Sequence, residues 1–261
     1  MHIWAVANQK GGVGKTTTVV TLAGLLADQG LDVLLVDLDP HGSLTSYFGY
    51  DPDTLEHSAY DLFEAGTSTP AKVSGLLQGT SHDRISLIPA STAMATLERR
   101  SVGSEGMGLM VSQSLVQLWD QFDYVLIDSP PVLGILMVNA LAACDRLIVP
   151  VQTEFLAIKG LERMVRTLSM INKARSRKLD YHILPTFFDR RTQASMQSLR
   201  KIKQTYPAQV AHAIIPVDTK LRNASSEGIV PSALDPTSHG VRSYGMLLRW
   251  LQEQEKQSAK I

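Results

Sequence analysis

Cysteine is nearly missing from this sequence, because Cys144 is the single one among 261 residues. A lone cysteine excludes an intramolecular disulfide framework, and it excludes metal or iron–sulfur sites that take two or more cysteines from one chain. Long apolar runs are missing too, since none approaches the roughly 20 residues of a membrane-spanning helix. We therefore expect a cytoplasmic protein without membrane insertion.

Net charge is also absent, because 25 Lys and Arg residues balance 25 Asp and Glu residues. The two signs are nevertheless unevenly distributed. Residues 1–150 carry 7 basic and 16 acidic side chains, whereas residues 151–261 carry 18 and 9. This asymmetry indicates either an anionic partner for the C-terminal part or mutual neutralisation of the two halves in the fold. No linker or internal repeat interrupts the chain, so a single domain over residues 1–261 is expected.

The most informative stretch is a glycine-rich loop near the N-terminus. It follows an apolar segment at 3–6, which predicts a buried strand, and precedes a segment at 18–27, which predicts a helix. Glycines let successive N–H groups of the backbone turn towards an anion, and the helix N-terminus adds partial positive charge. The residues expected to bind the phosphates of a nucleotide are Gly11, Gly12, Val13, Gly14, Lys15, Thr16 and Thr17.

Two lysines distinguish this loop. Lys15 is expected to reach the outer phosphates, and the hydroxyl of Thr16 to ligate Mg²⁺. Gln9 stands where the usual P-loop has glycine, and the second lysine, Lys10, opens the loop. This Lys-Gly-Gly-Val-Gly-Lys-Thr form resembles the deviant Walker A motif of the ParA/MinD family of ATPases. The resemblance implies that Lys10 crosses a dimer interface to the ATP of the partner subunit, so that the ATP-bound homodimer is the active form.

Aspartates at the ends of two further apolar segments are the candidate metal and water ligands. Such strand ends are where α/β sheets bind ligands. Asp39 matches the second aspartate of the family's Asp-x-Asp-Pro motif and is expected to hold the Mg²⁺ shell or orient the attacking water. Asp37 is expected to orient the same loop, in which His41 replaces the usual ParA glutamine. Asp128 ends a Walker B-like strand and is expected to hold Mg²⁺.

The remaining pattern predicts the fold. Apolar segments at 33–36, 85–89, 123–128, 147–151, 182–186 and 214–218 predict strands, and segments at 109–122, 155–174 and 241–253 predict helices. Their alternation predicts an α/β fold with a doubly wound, mostly parallel sheet. The resemblance places this fold among P-loop NTPases of the SIMIBI class. A loop is expected at 101–108 and a flexible tail at 252–261.

A second group of residues lies in the basic C-terminal half. No acidic residue occurs between positions 190 and 217, which suits contacts to DNA phosphates, and a solvated cationic face is the alternative. The candidate DNA-binding residues are Arg190, Arg191, Arg200, Lys203, Lys220 and Arg222. The family resemblance also implies that Pro216, Val217 and Asp218 lie beside the adenine base.

Three segments, at 39–43, 155–163 and 189–195, most resemble the chemotaxis-associated ParA branch called ParC. The resemblance implies a slow, partner-stimulated ATP hydrolase that dimerises with ATP and places chemoreceptor arrays at the cell pole through a ParP-like adaptor. The alternatives are a partition ATPase that binds nucleoid DNA and a MinD-like membrane-associated ATPase. The polar tail at 252–261 lacks the basic amphipathic pattern of a membrane-targeting helix, which argues against the MinD branch. A nitrogenase-reductase-like carrier would need two cluster cysteines, and only Cys144 is present.

Overall fold

The structure, a computed structural model, describes residues 1–64, 69–100, 106–175 and 178–258. Residues 101–105 of the predicted loop at 101–108 therefore lie outside the described residues. The strands are β1 (His2–Val6), β2 (Val33–Asp37), β3 (Gln78–Gly79), β4 (Ile85–Ile88), β5 (Tyr124–Asp128), β6 (Arg146–Gln152) and β7 (Asp180–Thr186).

The helices surround these strands and vary widely in length. Short 3₁₀ turns at 59–63, 92–96, 107–109 and 116–118 complete the described elements. The helices are α1 (Lys15–Ala27), α2 (Ser43–Tyr47), α3 (Pro70–Ser74), α4 (Leu97–Arg100), α5 (Met110–Leu115), α6 (Ile135–Ala143), α7 (Phe155–Ala174), α8 (Gln193–Thr205), α9 (Thr219–Glu227), α10 (Pro231–Leu234) and α11 (His239–Ser258).

One seven-stranded sheet forms the centre of the molecule, in the order β3-β4-β2-β5-β1-β6-β7. All neighbouring pairs are parallel except β3 and β4, which are antiparallel. Strands β2, β5 and β1 are adjacent, and their registers pair Asp128 with both Asp37 and Val6. The ends of these three strands therefore bring the glycine loop and the aspartates to one edge of the sheet, as the doubly wound prediction requires.

Both faces of the sheet are buried, because side chains alternate along each strand. In β1, Trp4 and Val6 pack against α1, α2, α9 and α11, whereas Ala5 faces the opposite core, which α3 to α8 cover. Strand β5 divides in the same way, with Leu126 on the first face and Ile127 on the second. The near-continuous apolar strands of the sequence thus reflect burial on two sides, and the predicted α/β fold is confirmed.

Three predicted elements need correction. The segment at 214–218 is not a sheet strand in the described structure, because it pairs with the chain beyond β7 only at the bridge between Phe188 and Pro216. Pro216 has no N–H to continue a ladder. The predicted helix at 109–122 is broken into α5 and 3₁₀ turns. The tail expected to be flexible from residue 252 is helical to Ser258, and Glu255 accepts hydrogen bonds from Trp4 and Tyr124.

None of the described helices combines the length and the apolar character needed to span a bilayer.

Candidate nucleotide-binding site

The loop between β1 and α1 is curled by two glycines. Gly12 and Gly14 have φ angles of 70° and 92°, in the left-handed region that L side chains avoid. Gly14 is also the N-cap of α1, and it supplies no side-chain hydrogen bond to the first turn. The free N–H groups at the start of α1 are consequently available to an anion, and the helix dipole favours one.

Neighbouring strands hold the carbonyl side of this loop. The Gly12 carbonyl accepts a hydrogen bond from Nε2 of Gln152 at 2.9 Å, and the Val13 carbonyl accepts one from Oγ1 of Thr186 at 2.9 Å. Asn8 is buried, and its Oδ1 accepts a hydrogen bond from the N–H of Lys10 at 3.1 Å. The first two bonds occupy the carbonyls of Gly12 and Val13, and the third fixes the N–H of Lys10 at the start of the loop. The other side of the loop, with Lys15 at the start of α1, is left for a phosphate group.

Thr16 and Asp128 meet at the candidate metal position. Oγ1 of Thr16 donates to Oδ2 of Asp128 at 2.5 Å, and Oδ1 of Asp128 is buried without a hydrogen-bond partner. Burial raises the pKa of Asp128 above its usual range, and the nearby carboxylate of Asp37 raises it further. The hydrogen bond from Thr16 and the charge of Lys15 act in the opposite direction. A cation at this point would relieve the crowding of negative charge.

These donors fit Mg²⁺ bound together with a nucleotide. Among the described residues no three His, Cys, Asp or Glu side chains form a complete metal site. Mg²⁺ commonly takes one or two protein oxygens and completes its shell with water and phosphate oxygens. The Thr16 hydroxyl and the unpartnered Oδ1 of Asp128 supply such a partial set.

The carboxylates of Asp37 and Asp39 have different surroundings. Asp37 is fully buried, and it accepts hydrogen bonds from the N–H of Asp39 and from the N–H and hydroxyl of Thr45. It therefore orients the loop, as its position in the sequence predicted. Asp39 lies beside His41, whose Nδ1 is 2.7 Å from Oδ1 of Asp39. The residue that replaces the usual glutamine thus contacts the carboxylate expected to orient water.

A pocket beside the loop has the character of a base site. Pro216, Val217 and Asp218 line it together with Gly14 and Thr17, which places the predicted base and phosphate residues next to each other. The side chain of Asp218, however, is engaged within the protein. Its Oδ1 accepts from the N–H of Lys220 at 2.9 Å and its Oδ2 from the N–H of Gly240 at 2.7 Å. Asp218 therefore shapes the pocket by capping α9 and anchoring the start of α11.

Sequence reasoning missed two aromatic residues of this pocket. Phe187 has a φ angle of 50°, the one positive value at a residue other than glycine in the described chain. A Cβ atom added to Gly14 would lie 3.5 Å from the Phe187 ring, so the ring packs on the loop. Tyr244 comes from α11, and its hydroxyl lies 2.9 Å from Oγ1 of Thr18. No local motif marks either residue, because only the tertiary fold brings them to the loop.

Lys10 makes contacts within its own chain. Its Nζ donates to Oε1 of Gln152 at 2.8 Å and forms an ion pair with Glu154. Sequence reasoning missed both partners, which lie far along the chain, Gln152 as the last residue of β6 and Glu154 just before α7. The contact to a partner subunit that the family resemblance implies would require Lys10 to leave them.

The predicted DNA-binding residues separate into two groups. Arg190, Arg191 and Arg200 line one surface cavity, and Arg200 shares the adjacent one with Lys203. The other two lie on α9, where Lys220 Nζ is 3.8 Å from Oδ2 of Asp235 and Arg222 lines the base pocket. The structure therefore brings four of the six residues together.

The two-sided sheet, the glycine loop that opens α1, and the aspartates at neighbouring strand ends define a P-loop nucleotide-binding protein of the two-lysine type. A family model described as "AAA domain" matches residues 1–181. Relatives named Soj and ParA match almost the whole chain, and the chain belongs to the ParA/MinD family of ATPases.

Three relatives illustrate the match. The sporulation initiation inhibitor protein Soj of Bacillus subtilis is 35% identical over 243 residues, which cover 93% of this chain and 94% of Soj. The chromosome partitioning protein ParA of Myxococcus xanthus is 32% identical over 255 residues, or 97% of this chain and 89% of that protein. A Mycobacterium smegmatis crystal structure, described as cobyrinic acid a,c-diamide synthase with bound ATP analog and magnesium, is 34% identical with a TM-score of 0.84 and covers 98% of this chain and 96% of its own.

The names of these relatives indicate different activities, although the relatives share a fold. A fold does not fix a function, so the activity of this chain has to be argued from its own residues.

Proposed function

We propose that this chain is a positioning ATPase that works as an ATP-dependent dimerisation switch. The single observation that carries the proposal is the two-lysine loop: Lys15 begins α1 at the phosphate cradle, while Lys10 lies at the loop's other end in contact with Gln152 and Glu154. The solved relative with an ATP analog and magnesium supports ATP and Mg²⁺ as the cofactors. Binding of ATP would then create the anionic target that draws Lys10 to a second chain.

The residues of the site have different roles in ATP hydrolysis. The N–H groups of the loop and Lys15 bind the phosphates, and the Thr16 hydroxyl and Asp128 hold Mg²⁺. The metal, when bound, neutralises charge that develops on the phosphate oxygens. Asp39 positions the attacking water, with His41 bonded to its carboxylate. Little covalent chemistry is required of the protein, so slow turnover that a partner accelerates is consistent with this set.

For the cargo, we propose the array of chemoreceptors, reached through a ParP-like adaptor protein at the cell pole. The support is the resemblance of the segments at 39–43, 155–163 and 189–195 to the chemotaxis-associated branch. Two of these segments flank the nucleotide site: the first contains Asp39 and the second begins next to Glu154. An adaptor that contacts them would therefore sense which nucleotide is bound.

A second candidate is a partition ATPase that binds nucleoid DNA without sequence preference. The specific observation in its favour is the cluster of Arg190, Arg191, Arg200 and Lys203 on one surface. Such a cluster contacts phosphates rather than bases. In cells, a fluorescent fusion separates the candidates: polar foci that depend on the adaptor support the first, and a nucleoid-wide signal supports the second.

The switch is tested by measuring mass in solution with ATP and Mg²⁺, alongside nucleotide binding and phosphate release. We expect Lys15→Ala to lose ATP binding and Lys10→Ala to bind ATP but remain a monomer. Asp39→Ala should form a persistent dimer whose phosphate release is reduced by about 100-fold, because the attacking water is no longer oriented.

Lys173→Ala is the matched control, since this exposed lysine lies at the far end of α7. It should dimerise like the parent chain. Dimerisation of Lys10→Ala at the parental ATP concentration would remove the second lysine from the switch, although ATP binding would still stand.

A further inference from the structure

A three-residue segment connects the site of Lys10 to a different part of the surface. The segment consists of Gln152, which ends β6, and of Thr153 and Glu154, which link β6 to α7. The N–H of Glu154 donates to the carbonyl of Gln152 at 2.8 Å. The segment is therefore one tight turn. Its two outer residues hold Lys10: Gln152 through a hydrogen bond of 2.8 Å and Glu154 through an ion pair.

The middle residue of this turn points to another partner. Oγ1 of Thr153 lies 2.6 Å from Oγ of Ser195 in α8, and both residues are only 5% exposed. Thr153 is also fixed by its N–H, which donates to the Thr186 carbonyl at 3.1 Å. A short hydrogen bond between two buried hydroxyls transmits small displacements, because the surrounding core is close-packed and excludes water.

Ser195 in turn organises the loop that carries the arginines. Its Oγ accepts a hydrogen bond from the N–H of Asp189 at 3.1 Å. The carboxylate of Asp189 then holds the guanidinium of Arg191 in a bidentate pair, with distances of 2.9 Å to Nε and 2.8 Å to Nη2. We call residues 189–192 the basic turn. The arrangement of this turn therefore depends on Ser195, and through it on Thr153.

We propose that Thr153 is a positioning residue that couples the state of Lys10 to the basic turn. When Lys10 leaves Gln152 and Glu154 for the phosphate of a partner's ATP, the tight turn loses both contacts with Lys10. Gln152 keeps its bond to the Gly12 carbonyl and its place in β6, so the end of the turn at Glu154 shifts. Thr153 shifts with it and alters the bond to Ser195, so that the basic turn changes its arrangement with the nucleotide state. The inference rests on the proposed dimerisation switch and adds a route by which that switch reaches the basic surface.

Hydrogen–deuterium exchange of the full chain tests this coupling directly. The amides to follow are those of the basic turn and, separately, those of residues 11–16, with and without ATP and Mg²⁺. We expect ATP to change exchange in the basic turn of the parent chain by about five-fold, the effect of altering one hydrogen bond. In Thr153→Val, which keeps the side-chain shape but removes the hydroxyl, this response should disappear. In Thr153→Ser, which restores the hydroxyl, it should return.

Two further variants keep the test decisive. Ser195→Ala breaks the same hydrogen bond from the α8 side and should also abolish the response. It keeps the test available if Thr153→Val does not fold. Ser198→Ala is the matched control, because Ser198 is similarly buried in the same helix. It should respond to ATP like the parent chain.

The possible outcomes separate the two proposals. If ATP protects residues 11–16 in every variant and the basic turn of Thr153→Val still responds at the parental size, the coupling is wrong while the nucleotide site stands. If exchange in the basic turn of the parent chain does not change with ATP, the coupling is wrong as well. If residues 11–16 do not respond to ATP in any chain, the proposed function fails and the coupling fails with it.

Discussion

Asp128 and His182 are titratable residues with buried polar atoms that have no hydrogen-bond partner. These atoms are Oδ1 of Asp128 and both ring nitrogens of His182, whose side chain as a whole is half-buried. An unsatisfied buried polar atom costs about 1–3 kcal/mol, so each one calls for an explanation. For Asp128 the explanation is the candidate metal site, where a cation and its waters would satisfy the free oxygen. His182 lies on β7 with its ring 4.7 Å from that of Trp250, and it belongs to the packing of α11.

The environment of His182 makes stability depend on pH. Burial, with a smaller contribution from the charge of Arg146, lowers the pKa of His182 from 6.5 to about 4. The unfolded chain therefore binds a proton at a higher pH than the folded chain does. The stabilising contribution of the neutral ring is complete above pH 6.5 and is lost progressively as the pH falls from 6.5 to 4.

We predict that His182→Phe flattens this acid dependence. Phenylalanine keeps an aromatic ring against Trp250 but cannot be protonated. Between about pH 7 and pH 5 the parent chain should lose about 2 kcal/mol of unfolding free energy that the variant retains. Urea denaturation of both chains at the two pH values measures the difference. His212→Phe is the control, because His212 also contacts the Trp250 ring but is exposed. Equal acid losses in the parent chain and His182→Phe would contradict the prediction.

Residues at motif positions were predictable, and residues brought in by the fold were not. Asp39 and Asp128 lie at strand ends that the apolar pattern locates, and Lys15 and Thr16 follow the glycine loop after β1. The sheet order then places them together. Phe187 has a positive φ angle, which the sequence gives no reason to expect at a phenylalanine. Glu154 and the other residues from β6, β7 and α11 reach the loop only through strand order and helix packing, which local periodicity does not encode.

At the scale of elements, the packing of α1 depends on a glycine within the helix. A Cβ atom on Gly24 would lie 2.8 Å from Cβ of Val230 and 2.8 Å from Oγ of Ser232, at the start of α10. Gly245, inside α11, has only the end of the flexible Arg249 side chain near its added Cβ, at 3.8 Å. The two glycines occupy similar helical positions and differ in what surrounds them.

Alanine substitutions at these glycines should have opposite effects. Gly24→Ala is expected to destabilise the chain by about 1–3 kcal/mol, because it overpacks the contact between α1 and α10. Gly245→Ala should instead stabilise by up to about 1 kcal/mol, since alanine loses less backbone entropy in a helix. Urea midpoints of the two variants and the parent chain provide the measurement. A stabilised Gly24→Ala would show that α10 can move away from α1 without loss.

The success of element prediction followed the strength of the local pattern. The helix at 155–174 was predicted with the bounds that α7 has, because twenty residues of consistent amphipathic spacing outweigh any local break. The segment at 109–122 has the same kind of pattern but folds as α5 and 3₁₀ turns, where tertiary contacts decide. The apolar segment at 214–218 predicts a strand, but its proline limits it to one bridge.

For the whole molecule, the acidic N-terminal and basic C-terminal halves share one sheet, and the net charge of the chain is zero. The basic residues are nevertheless not all neutralised alike. Arg191 is paired with Asp189, and Lys220 lies near Asp235, whereas Arg200 adjoins Arg190, Arg191 and Lys203 in surface cavities. A local positive potential on α8 persists although the net charge is zero.

This distribution predicts which basic residues contribute to the binding of a polyanion. If the second candidate function holds, binding of a DNA duplex of arbitrary sequence by the ATP-bound chain should weaken in Arg200→Glu, and the slope of log affinity against log salt should fall by about 0.9 for the phosphate contact that is lost. Lys220→Glu makes the same change of charge on α9, beside Asp235, and should leave both quantities near the parental values. Titrations between about 50 and 200 mM salt measure both slopes. Equal weakening by the two variants would mean that DNA responds to total charge and not to the α8 surface, and the partition function would lose its structural support.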